Sequence, residues 1–75
     1  MFKLFGMVEF LSFIPYESLE KDVGKYVSAY RERRVDGRNI PNPVYGVLER
    51  MDDIYILRRE KDFVKLEEGE GVFVI

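Results

Sequence analysis

Seventy-five residues make one domain near the lower size limit for a self-sufficient core, and 47% apolar against 35% charged residues exclude a disordered chain. The absence of cysteine and histidine excludes a disulfide framework, thiol chemistry, hydrolytic triads and the usual zinc ligands, and it fits a reducing, cytoplasmic setting. A formal net charge of −2 weighs against a uniformly basic nucleic-acid binder, so the distribution of charge has to decide.

Residues 1–14, MFKLFGMVEFLSFI, are the most apolar stretch. Leu4, Val8 and Leu11 keep helical spacing and predict a first helix, although the Phe and Val content and Gly6 also suit a strand. Glu9 and the lack of a small-residue cleavage site speak against a signal peptide. The run also stops at Pro15, short of the ~20 apolar residues of a membrane span. Its apolar surface exceeds what one small core uses, which points to a homodimer formed through residues 1–14.

Beyond Pro15, Ser18 is placed to cap a second helix over residues 18–33, with Glu20 and Asp22 in its first turns. Leu19, Val23, Tyr26, Val27 and Tyr30 form its apolar stripe, and Gly24 weakens it by roughly 1 kcal/mol relative to alanine. From Lys25 to Arg38, Lys25, Arg31, Arg33, Arg34 and Arg38 stand against only Glu32 and Asp36. Asp36-Gly37 marks a turn.

A third helix is predicted over residues 43–52. Asn42 is its cap, Pro43 occupies the first helical position, and Val44, Val47, Leu48 and Met51 form one inward stripe. Asp52 and Asp53 end it. Two runs rich in β-branched and aromatic residues follow, Ile54-Tyr55-Ile56-Leu57 and Phe63-Val64-Lys65-Leu66, joined by the polar link Arg58-Arg59-Glu60-Lys61-Asp62; this reads as a hairpin with a basic tip. A turn at residues 67–71 (EEGEG) leads to a short apolar strand at residues 72–75. No repeat or linker divides the chain, so residues 1–75 are one domain.

Helix, helix, turn, helix and hairpin in this order resemble the winged helix-turn-helix domains of small prokaryotic and archaeal-type regulators. VEFLSFIPYESLEKDVGKYV resembles their opening pair of helices, and NPVYGVLERMDDIYILRREKDFVKL their recognition helix and wing. The link over residues 34–41 is longer than the family's tight turn, and the chain is acidic where the family is basic. The resemblance implies an α+β fold and a small DNA-binding transcriptional regulator. Its third helix would enter the major groove, and its hairpin tip at residues 58–62 would meet the backbone.

On that reading Asn42, Tyr45, Gly46, Glu49 and Arg50 face outward, with Asn42, Glu49 and Arg50 able to bond base edges. Arg31, Arg33, Arg34, Arg38, Arg58, Arg59 and Lys61 would hold phosphates of double-stranded DNA. No cofactor, metal site or catalytic constellation is expected: phosphate-loop motifs are absent, and the carboxylates Asp52, Asp53, Glu67, Glu68 and Glu70 suit a solvated edge better than a cation site.

One rival arrangement makes residues 1–14 and 44–51 strands, giving one helix on an antiparallel sheet and a protein-interaction or assembly module; a second keeps the acidic winged helix but makes it a docking domain for a protein partner. Residues 44–50 do not alternate cleanly, which favours the helix.

Overall fold

Short runs of β-branched and aromatic residues, interrupted where Gly24 (φ 101°), Gly37 (φ 77°) and Asp52 (φ 56°) enter left-handed backbone, make most of this chain a succession of strands. The computed structural model describes residues 13–75. Its elements are β1 (Phe13–Ile14), a 3-10 helix (Tyr16–Asp22), β2 (Tyr26–Ala29), β3 (Glu32–Val35), β4 (Arg38–Pro41), β5 (Val44–Met51), β6 (Ile54–Arg58), β7 (Phe63–Lys65) and β8 (Val72–Val74). Among the described residues, six strands form one antiparallel sheet in the order β1-β8-β2-β5-β6-β7, and β3 pairs only with β4. The last strand therefore returns to lie beside β2.

The winged helix-turn-helix expectation is overturned, and with it the α+β fold of three helices. Residues 43–52 are not a recognition helix. β5 pairs with β2 through Val44 to Val47 (Val27↔Gly46) and with β6 through Val47 to Met51 (Leu48↔Leu57). Its side chains alternate, so that Val44, Gly46 and Leu48 face the core while Tyr45, Val47, Glu49 and Met51 lie on the opposite face. The stripe Val44, Val47, Leu48, Met51 belongs to both faces. Val44 and Leu48 belong to the inner set and Val47 and Met51 to the outer one, and two interleaved alternating sets mimic helical spacing. Asp52-Asp53 is the two-residue connection of a hairpin, closing the pair Met51↔Ile54.

The helix predicted over residues 18–33 is corrected as well. The 3-10 helix ends at Asp22, Gly24 turns the backbone, and Tyr26 to Ala29 pair into the sheet. Aromatic and β-branched residues there gain more from cross-strand packing than from a helix interrupted by glycine. Phe13–Ile14 form β1, and the rest of the predicted first helix, with the homodimer assigned to it, lies outside the described residues. The hairpin of β6 and β7 and the strand β8 match their sequence signals.

Leu19, Val27, Ala29, Leu48, Leu57, Leu66 and Val72 form the buried core, with Ile14, Tyr16, Val44, Tyr55 and Val74 packed against it. Asp22, the buried last residue of the 3-10 helix, is held by Lys25 at 2.7 Å and Lys21 at 3.1 Å. These ammonium partners keep its carboxyl below the ordinary range. Gly46 is inward-facing and buried because an added Cβ would lie 2.8 Å from the Arg58 carbonyl oxygen and 3.0 Å from Leu57 Cβ.

Candidate functional site

Two features of this fold do not serve the core. The first is the outer face of the sheet. Pleat and register place Phe13, Phe73, Ser28 and Tyr45 in one row across β1, β8, β2 and β5, and Tyr26, Val47, Arg58 and Phe63 in the next. Tyr26 and Tyr45 are diagonal neighbours with near-parallel rings, 15° apart in plane and 6.5 Å between centroids. They border a groove of about 580 Å³ that is also lined by Pro43, Val47, Glu49, Arg58, Arg59 and Glu60. Arg58 lies 5.9 Å from the centre of the Phe63 ring and donates to both Glu49 carboxylate oxygens at 2.8 and 2.9 Å.

The second feature is the ribbon of β3 and β4. It projects from between β2 and β5, and none of its residues is buried. Asp36 (φ 50°) and Gly37 (φ 77°) both take left-handed backbone in its tip, the requirement of a tight hairpin turn. The Asn42 N–H donates to the Arg31 carbonyl at 2.6 Å and closes its root. Register places Arg33, Val35, Arg38 and Ile40 on one face and Glu32, Arg34, Asn39 and Pro41 on the other.

The arginines divide by location. Off the ribbon each is neutralised: Arg31 by Glu70, Arg50 by Glu20, Arg58 by Glu49 and Arg59 by Asp62. The hydrogen bond from Arg31 lowers the affinity of Glu70 for its proton, Arg59 does the same to Asp62, and Arg50 followed by the Tyr55 hydroxyl to Glu20. Arg33, Arg34 and Arg38 make no ion pair among the described residues; Arg34 donates only to Asn39 Oδ1, at 3.2 Å.

The residues expected to meet DNA are therefore dispersed. Arg33, Arg34 and Arg38 share the ribbon, while Tyr45, Glu49, Arg58 and Arg59 share the groove. Lys61 is exposed in the β6–β7 turn. Arg31 bridges the ribbon's root to Glu70 and the Lys65 carbonyl, a structural duty. Arg50 is tied to Glu20 and to the Asp52 carbonyl. Asn42 caps no helix, and Gly46, expected outside, faces the core. Tyr26, Pro43, Val44, Gly46, Val47 and Glu60 also line the groove, whereas helical spacing in the sequence puts Tyr26, Val44 and Val47 on inward stripes. The signal that could have placed them was alternation, with Tyr26 and Ser28 opposite Val27 and Ala29.

The fold and the site together define a small antiparallel β-sheet protein with an arginine-bearing ribbon and an aromatic groove at its root. No protein-family model, curated protein or solved structure matches the chain. Among the described residues no helix is long and apolar enough to cross a membrane, and no group of three or more acidic side chains is arranged to hold a metal ion.

Proposed function

We propose that this protein binds nucleic acid by gripping phosphates with the β3–β4 ribbon, in a cytoplasmic setting. The supporting observation is the division of the arginines: the three on the projecting ribbon lack carboxylate partners among the described residues, while the four elsewhere all have one. A guanidinium left unpaired on an exposed strand offers planar, two-pronged recognition of phosphate. A two-stranded ribbon is also narrow enough to lie in a nucleic-acid groove. The recognition helix is replaced in this role, and Arg33, Arg34, Arg38 and Asn39 become the contact set.

A titration of labelled oligonucleotides at low and moderate salt, read by fluorescence anisotropy, tests the proposal. Replacing Arg33, Arg34 and Arg38 together by alanine lowers affinity and flattens the salt dependence by about two to three in log–log slope, one phosphate contact per arginine. An unchanged slope removes the ribbon from the mechanism. The second reading, a protein-interaction module without nucleic acid, is favoured by the net charge of −2 and is the one left standing if no oligonucleotide binds.

A further inference from the structure

The groove adds a substrate class to that reading, on which this inference rests. Tyr26 and Tyr45 are 52% and 44% exposed, so neither ring is consumed by the core. Their hydroxyls have no hydrogen-bond partner among the described residues. A centroid separation of 6.5 Å is at the wide end of aromatic stacking, which leaves flat π-surface open to a third ring. Val47 and Pro43 supply an apolar floor, and Arg58 and Arg59 stand on the groove's wall.

The arm and the aromatic pair are also joined through the chain. The ribbon leaves the sheet after β2, which carries Tyr26, and re-enters it at β5, which carries Tyr45. Pro43, at the point of re-entry, lines the groove. An anionic polymer held by Arg33, Arg34 and Arg38 thus has aromatic rings at the foot of its holder.

A duplex keeps its bases stacked on one another and offers these rings nothing. A single strand offers both a phosphate backbone for the ribbon and unstacked bases for the tyrosines. Glu60 on the groove's wall makes no ion pair among the described residues and repels a backbone laid directly beside it, which suits bases entering the groove while phosphates stay with the ribbon. We propose that the protein binds single-stranded nucleic acid, with bases stacked on Tyr26 and Tyr45 and phosphates held by the β3–β4 arginines.

The test uses the full chain with single-stranded oligothymidine, single-stranded oligouridine and a duplex of equal length; the first two separate DNA from RNA as the source of the strand. The single strands bind at least about tenfold tighter than the duplex, and binding quenches tyrosine fluorescence. Replacing both Tyr26 and Tyr45 by leucine costs about tenfold or more in single-strand affinity at unchanged salt slope, since stacking is worth ~1–3 kcal/mol per base and ~1.4 kcal/mol is tenfold. The double phenylalanine variant, which keeps both rings, retains affinity.

Duplex binding as tight as single-strand binding overturns this inference and leaves the proposed function intact. A leucine variant that binds like wild type while the arginine variant does not has the same result. If no nucleic acid binds, or the arginine variant binds unchanged, both fall together. Should the leucine variant fail to fold, the strand preference and the fluorescence quenching of the wild-type protein decide.

Discussion

Leu48→Ala and Val47→Ala, adjacent substitutions in β5, separate a strand from a helix by energy alone. A helical stripe over residues 43–52 would turn both side chains to the core and make both substitutions costly. In the sheet Leu48 is fully buried opposite Leu57, whereas Val47 is half-buried on the outer face opposite Arg58. Leucine to alanine removes three carbons at roughly 0.8 kcal/mol each, and the cavity left in a packed core brings the cost to about 3 kcal/mol. Removing two partly solvated carbons at Val47 costs under about 1 kcal/mol by the same measure. At roughly 4–8 °C per kcal/mol for a domain of this size, Leu48→Ala lowers Tm by ~12–24 °C and Val47→Ala by less than ~8 °C. Thermal melts followed by circular dichroism read both values. Equal losses, or a larger one at Val47, would refute the register.

Three further outcomes follow from the same geometry. Glu70 accepts from Arg31 Nε and Nη2 at 2.8 and 2.9 Å in a part-buried setting, so Glu70→Gln costs about 1–2 kcal/mol near neutral pH. Because Arg31 holds the folded carboxyl below its ordinary value, that stability is present above the unfolded pKa and is lost as pH falls through the folded one; melts of the two proteins should converge only below about pH 4. Gly46→Ala forces a methyl group against the Arg58 carbonyl at 2.8 Å and destabilises by about 1–3 kcal/mol, measured by urea unfolding; a neutral effect would show that β5 and β6 are not so closely apposed. Replacing residues 32–41 by a two-residue Asn-Gly turn leaves a cooperative melt within a few degrees of wild type, because the ribbon buries nothing, but abolishes oligonucleotide binding; loss of the cooperative melt would make the ribbon part of the core.

Legibility in the sequence followed how one-sided each element is. The runs at Ile54 and Phe63 are rich in β-branched and aromatic residues, separated by a polar link, and they form the expected hairpin. Asp36-Gly37 likewise announced its turn. β5 was hidden because it lies between β2 and β6 with apolar side chains on both faces, and mixing two alternating sets produces spacings of three and four. The two residues between Met51 and Ile54 were the stronger signal: hairpin partners commonly sit that far apart, and Asp tolerates the positive φ such a turn demands. Residues 18–33 misled for a related reason. Leu19 and Val27 are both core, but they reach it from a 3-10 helix and a strand on either side of Gly24. The arginine-rich segment was legible by composition, whereas its separation from the sheet was not, since nothing local says that a polar hairpin lacks a partner.

That separation also bears on the apparent conflict between an acidic protein and the anionic ligand proposed for it. Residues 32–41 hold Arg33, Arg34 and Arg38 against Glu32 and Asp36, a local charge of +1, so the remainder of the chain carries the other −3 of the total −2. Exposed charges are screened over about 8 Å at physiological salt, so a ligand on the projecting ribbon senses the nearby arginines more than the body. Five carboxylates of the body are in turn engaged, Glu20, Glu49, Asp62 and Glu70 each on its own arginine and Asp22 on two lysines. A sheet that neutralises its own arginines leaves those of the ribbon, with the exposed Lys61 and Lys65, as cations outside any ion pair among the described residues, so net charge alone does not decide against the proposed phosphate contact.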